Sequence, residues 1–242
     1  MLGSALLPSS ARRFARLAVD LRPARPQWGD VSQNGEYSYL KWLIPSDWPR
    51  TMVEVGANDG LTYSNSYNLL RDGWKAVLVE PHPENYKRLV ENTGSVDAIL
   101  FEAAASESAG SADLFEDTAT DGHNLMATLQ TTDSAWYDAT RSDRSVPVKL
   151  RRLDEMLDEA GFDHDFSVLS ADTEGHDAAV LAGMGAYTPR VILTERDLNI
   201  PAQAHVKQQE LTRRGYLVVD RVGCNEIYMH RDRILEAPQI LS

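Results

Sequence analysis

The stretch Thr51-Met-Val-Glu-Val-Gly-Ala-Asn-Asp-Gly60 decides the fold. A short apolar run carrying Glu54 ends at Gly56, Gly60 follows four residues later, and a helical pattern comes next. Strand, tight turn and helix in that order form a common cradle for a nucleotide-like cofactor, because glycine lets backbone approach a ligand closely. The spacing is Glu-x-Gly-x-x-x-Gly and not the Gly-x-Gly-x-x-Gly of dinucleotide-binding turns. The remainder of the chain therefore has to supply a matching pocket.

Downstream, Trp74 to Val79 reads as a second strand that delivers Glu80 at its end. An acid there is placed to accept hydrogen bonds from ribose hydroxyls, the alternative being a solvated strand-end carboxylate. Pro81 and Pro83 force a turn, and Tyr86, Leu89 and Val90 mark the apolar side of a helix ending near Gly94. Val96 to Ala105 reads as a third strand. Its small-residue end, Ala103-Ala-Ala105, leaves room for a flat ring such as adenine, although close packing selects the same residues. Ser111 to Phe115 suggests one more short strand. Residues 117–145 show no sustained period, and a loop of that length inside a domain is usually functional or mobile. It carries His123, Asn124, Trp136, Tyr137, Arg141 and Arg144, a mixture suited to a polar, ring-shaped substrate or simply to solvent.

Beyond the loop, Val146 to Leu150 reads as a strand and Leu153 to Ala160 as a helix. The buried strand Phe166 to Ala171 delivers Asp172-Thr-Glu-Gly-His-Asp177, and Val191 to Thr194 delivers Glu195. A helix over 201–214 precedes a hairpin of Tyr216 to Asp220 with Glu226 to His230. Upstream, residues 9–22 suit a short amphipathic helix with Phe14, Leu17 and Leu21 on one side. Such a helix packs on the domain, on a second subunit of a homodimer, or as a lid. Residues 1–30 are accordingly expected to form a helical extension and linker, and 31–242 a single domain.

Composition narrows the function classes. With 24 basic against 36 acidic residues the net charge is −12, which argues against nucleic acid as a partner. Cys224 is the single cysteine, so neither an intrachain disulfide nor a cysteine-based zinc cluster can form, in keeping with a reducing cytoplasm. No apolar run reaches the roughly 18–20 residues of a membrane span, and Met1 to Pro8 lacks the features of a secretory signal. Alternating strands and helices followed by a hairpin predict an α/β, Rossmann-like, doubly wound sheet, mostly parallel with one antiparallel strand. Its ligand site should lie at the strand C-terminal ends. The closing hairpin and the glycine spacing separate this from a nicotinamide-dependent oxidoreductase on the same sheet. A non-catalytic binding protein retaining the fold is the third reading.

Together, Glu54-Val-Gly-Ala-Asn-Asp-Gly60 with Ser64-Asn65, Val79-Glu-Pro-His-Pro83, Leu153-Asp154, and Asp172-Thr-Glu-Gly-His-Asp177 with Leu181-Ala-Gly183 resemble the FkbM-type S-adenosylmethionine-dependent methyltransferases. Ser32-Gln-Asn-Gly-Glu36 resembles the segment that precedes the glycine loop in one branch of that family, so the resemblance covers about 32–230. A basic residue usually stands two positions before the Asp-x-Glu-Gly aspartate; here it is Ser170. The resemblance implies the seven-stranded methyltransferase sheet and methylation of a hydroxyl on a sugar, oligosaccharide or glycosylated metabolite. The narrower comparison is with the sugar O-methyltransferases of methylmannose polysaccharides.

Under that resemblance, S-adenosylmethionine is the expected cofactor. Gly56 admits its amino-acid part, while Glu54, Asn58 or Asp59 accepts from its ammonium, and Gly60 completes the loop. Ser64 and Asn65, in the first turn of the next helix, favour its carboxylate. Glu80 takes the ribose, and Glu102 with Ala103 borders the adenine. An alcohol is a poor acid, so a base or a metal ion must assist proton removal. Asp172, Glu174 and Glu195 are expected to converge, with Asp172 and Glu195 able to bind Mg²⁺. Alternatively Asp172, His123 or His176 accepts the proton directly, or Glu174 and Asp177 merely cap the following helix.

Overall fold

The computed structural model describes residues 29–117, 124, 126–129, 141–196, 201–237 and 240. The expected helix over 9–22 and His123, Trp136 and Tyr137 lie outside the described residues. The elements, in order, are α1 (Glu36–Leu43), β1 (Thr51–Val55), α2 (Tyr67–Arg71), β2 (Lys75–Val79), α3 (Pro83–Thr93), β3 (Ala98–Phe101), β4 (Ala104–Ser106) and β5 (Gly110–Asp117). There follow β6 (Arg141–Arg152), α4 (Leu153–Glu159), β7 (Val168–Ala171), α5 (Asp177–Ala182), β8 (Val191–Glu195), α6 (Pro201–Arg213), β9 (Tyr216–Val222) and β10 (Asn225–His230). A 3₁₀ turn, Arg231–Glu236, follows the last strand.

Seven strands form one sheet in the order β3-β2-β1-β7-β8-β10-β9. All pairs among β3, β2, β1, β7 and β8 are parallel, and β10 runs against both β8 and β9. The order reverses between β1 and β7, so the crevice beyond their C-terminal ends is the natural ligand position. Side chains alternate across the sheet. Met52 and Leu78 pack towards Leu40, Leu43, Leu69 and Leu89 of α1, α2 and α3. Val53, Val55, Val77 and Val79 pack on the other side with Met156, Leu157, Val180, Leu181 and Leu211 of α4, α5 and α6. Glu54 shares the parity of Met52 and is buried at the end of that face.

Three expectations are corrected. The run from Val96 to Ala105 is two strands, because β3 ends at Phe101 and β4 joins a second, three-stranded sheet, β4-β6-β5. The strand expected over 146–150 extends over Arg141–Arg152, so the loop read to 145 ends earlier: Ser145 pairs with Phe115, and Arg141 with Asp117. The polar residues of that extension pair only with β5 and leave no alternation of apolar residues to read. Finally, the helix expected soon after Gly60 begins only at Tyr67. Asp59 and Glu54 draw the intervening amides into turns, with Asp59 accepting from the Leu61 and Thr62 N–H groups at 2.9 and 2.7 Å. The small sheet buries Ala104, Leu114 and Val148, and it flanks the crevice.

Candidate functional site

At the end of β1, Gly56 adopts φ +83°, a conformation that side chains with Cβ resist. A Cβ there would fall well inside contact of the Asp172 carbonyl oxygen and 3.0 Å from its carbon. The glycine thus lets the turns after β1 and β7 touch. The Gly56 and Ala57 amides both donate to the Val79 carbonyl, at 2.9 and 3.1 Å, which fixes the loop to the end of β2. Asn58, at φ +50°, donates its amide to one Glu80 oxygen at 2.8 Å, and the His82 amide donates to the other at 2.8 Å. Burial pushes the Glu80 carboxyl up to about 7 against the pull of those two amides, with the charge of Asp59 adding to the rise.

Glu54 organises the next turn. It accepts from the Asn65 amide at 2.8 Å, the Ser64 hydroxyl at 3.1 Å and the Ser66 hydroxyl. Burial raises its carboxyl pKa above the ordinary value while these donors oppose the shift. Ser64 and Asn65 precede α2 and do not belong to its first turn, and the Asn65 amide is already engaged with Glu54. Asn65 instead offers its side chain: Nδ2 donates to Ser170 Oγ at 3.0 Å, while the buried Oδ1 has no partner among the described residues. Asn65 also lines the cleft. An unpaired buried acceptor beside a glycine loop fits the ammonium end of an amino-acid-bearing cofactor.

At the end of β7, Glu174 is held at φ +51° and Gly175 at +93°. A non-glycine residue in that region costs about 1–3 kcal/mol and persists where surrounding structure imposes it. Here Thr128 Oγ1 donates to the Glu174 carbonyl at 2.9 Å. Oxygens of Asp172, Glu174 and Glu195 all lie within 4.8 Å of one another. Burial raises the Asp172 carboxyl well above the usual range, reinforced by the charges of Glu195 and Asp177 and opposed by Lys207. Oxygen-only donors at this spacing suit a hard divalent cation. His176 sits 3.2 Å through Nε2 from Ser106 Oγ, and burial lowers its pKa against the pull of Asp177 and Glu107.

These groups meet around one cleft of about 500 Å³. It brings Gly56, Asn58, Asn65 and Glu80 together with Asp172, Glu174, His176 and Glu195. Glu54, Asp59, Gly60 and Ser64 stand behind this lining and shape the loop. Glu102 is exposed and Ala103 is buried outside the lining, whereas Ala104 and Ala105 border the cleft. Of the central loop's expected set, Asn124 lines it with Nδ2 3.2 Å from His82 Nε2, whereas Arg141 and Arg144 belong to β6 and Arg144 is not part of the lining.

Sequence reasoning missed a further part of the lining, Gln33, Tyr63, Cys224 and Asn225. Its anchor is Glu36, fully buried, which accepts from the Asn34 amide at 2.8 Å and from the Asn225 side chain at 2.9 Å. The pairing of Gly35, at φ +91°, with a glutamate at the start of α1 is the local trace of this turn. Burial and the charges of Asp172 and Glu195 push the Cys224 thiol up to about 11, so it stays protonated near neutrality.

Known proteins share this chain's features. The 2-O-methyltransferase NoeI of Sinorhizobium fredii is 30% identical over 139 residues, which are 54% of this chain and 56% of that protein. The chain thus spans about half the length of the curated relative it matches. The crystal structure of a methyltransferase FkbM from Methylobacillus flagellatus KT superposes with a TM-score of 0.51 over 91% of this chain and 58% of the other, at 14% identity. That likeness concerns the fold. The methyltransferase FkbM domain, as a family pattern, matches residues 54–218, from the buried acid of β1 into the final hairpin, and this chain belongs to that family.

Proposed function

We propose that this protein is an S-adenosylmethionine-dependent O-methyltransferase acting on a hydroxyl of a sugar, oligosaccharide or glycosylated metabolite. The observation that carries the reading is the placement of the Asp172, Glu174 and Glu195 carboxylates in the same cleft as the glycine loop and Glu80. The NoeI match, a 2-O-methyltransferase, supports oxygen as the acceptor atom. In this arrangement Glu80 accepts from the ribose hydroxyls and Asn65 Oδ1 from the cofactor ammonium. Ala104, Ala105 and Leu114 border the adenine.

The acceptor oxygen attacks the methyl carbon, the carbon–sulfur bond breaks, and its electron pair passes to sulfur, leaving a neutral thioether. The hydroxyl proton goes to the Asp172 carboxylate. Burial and the charges of Glu195 and Asp177 raise its proton affinity above that of an ordinary carboxylate. A second reading rests on the three-carboxylate spacing: Asp172, Glu174 and Glu195 would hold Mg²⁺, which when bound makes a coordinated hydroxyl more acidic. The gain from either depends on holding the acceptor oxygen in line with the donor methyl.

The test is methyl transfer from labelled S-adenosylmethionine onto a panel of small saccharides, run with and without excess chelator. Transfer to a saccharide hydroxyl supports the assignment. Cofactor binding with no turnover on any saccharide would instead favour a binding protein. Full activity in chelator removes the metal role and leaves direct proton acceptance, and activity lost in chelator but regained with Mg²⁺ assigns the metal role.

A further inference from the structure

We propose that Lys207 is a positioning residue that ties the end of β8 to the turn after β7 and so sets the spacing of the three cleft carboxylates. Lysine is seldom buried without a partner, yet Lys207 of α6 is 2% exposed. Its Nζ donates to Asp177 Oδ2 at 3.2 Å and to the backbone carbonyl of Glu195. The same Asp177 oxygen accepts from Thr194 Oγ1 at 2.5 Å. The other, Oδ1, accepts from the Thr173 amide at 3.0 Å and the Thr173 hydroxyl at 2.6 Å. Thr173 lies between Asp172 and Glu174. One ammonium and one carboxylate therefore hold three residues: Glu195, Thr194 before it, and Thr173 between the other two acids.

This tie has a physical task. Asp172, Glu174 and Glu195 arrive on two separate turns and repel one another when ionised, so the turns tend to part. Lys207 enters from behind, on a third element, and does not line the cleft. Its action on the site runs through the positions of other groups. The inference rests on the proposed role of the acids towards the acceptor.

The experiment uses the full chain and two variants. Lys207→Met leaves the Asp177 charge buried without its counter-ion and is expected to be destabilised. Lys207→Met/Asp177→Asn removes both charges and keeps an amide oxygen to accept from Thr173. Thermal midpoint, S-adenosylhomocysteine affinity, methyl transfer and amide hydrogen exchange are measured on each. The double variant should regain the wild-type midpoint and bind S-adenosylhomocysteine normally. Its amides at 172–176 and 195–196 should still exchange about tenfold faster than in the wild type, with β1 and β2 unchanged. Its kcat should stay about a hundredfold down, the scale expected of ångström-level misplacement. Wild-type exchange and turnover in the double variant would overturn the proposal and leave Lys207 a counter-ion to Asp177. If the wild type itself transfers no methyl group, the functional reading fails, and the exchange comparison still decides the tie.

Discussion

Replacing Gly56 by alanine tests whether the cleft depends on the contact between the two turns at the centre of the sheet. Gly56 and Gly73 both stand at φ +83°, but only Gly56 faces a neighbour: a Cβ at Gly73 meets nothing within 4 Å. Gly73→Ala therefore measures the left-handed backbone cost alone, about 1–2 kcal/mol. For a domain of this size that is a fall of about 2–8 °C in thermal midpoint. Gly56→Ala adds the clash with the Asp172 carbonyl, whose carbon would stand 3.0 Å from the new methyl. Overpacking of this kind costs about 1–3 kcal/mol more, a further fall of about 2–12 °C. Because relieving the clash parts the Asp172 turn from the loop that brings Asn58 to Glu80, S-adenosylhomocysteine affinity should fall in Gly56→Ala and hold in Gly73→Ala. Differential scanning fluorimetry and calorimetric titration of both variants provide the comparison. Equal losses of stability with equal affinities would refute the reasoning, since the contact with Asp172 would then have no consequence.

Asp172→Asn should lower turnover by about 10²–10⁴-fold, the usual range for a lost general base, while leaving cofactor affinity near wild type. An unchanged rate in single-turnover assays would remove Asp172 from the chemistry. Glu80 predicts a pH dependence of stability. Its carboxyl rises from an ordinary 4.5 to about 7 on folding, so the native state retains a proton that the unfolded chain releases. The group's contribution is complete below pH 4.5 and declines as pH rises to about 7, by roughly 3 kcal/mol. Denaturant unfolding of wild type and Glu80→Gln at pH 5 and pH 8 should show their stability difference changing by about that amount, with the wild type relatively weaker at pH 8. A difference that does not vary with pH would count against the burial of the charge.

That the glycine loop and the strand-end acids share one cleft was legible because each part obeys a local backbone rule. A left-handed glycine after a buried strand, and acids at the ends of β2, β7 and β8, are local signals with a geometric cause. The antiparallel hairpin was likewise legible, although its turn, read across 221–225, is only Gly223 and Cys224. What stayed hidden is non-local. Glu102 interrupts an apolar run without any glycine or proline to mark it, so β3 and β4 read as one strand although they serve two sheets. Glu54 looked like a ligand group because a buried acid at a glycine loop has few other visible uses; its donors, Ser64, Asn65 and Ser66, are only revealed by the turn. The wall containing Gln33 and Asn225 joins positions on opposite sides of the sequence, and no periodicity announces such a meeting. Nothing local marks Lys207 either, since its partners Asp177 and Glu195 lie 30 and 12 residues away.

The anchor between Glu36 and Asn225 spans 189 residues. On a growing chain, β1, β2 and β3 have each other as close neighbours and can begin to associate early. The turn at residues 33–36 has to wait until β10 emerges and slots between β8 and β9. Contacts of such long range form late in folding. The glycine loop and Glu80 thus have their partners nearby in the chain, whereas the part of the cleft anchored by Glu36 is complete only once β10 is in place.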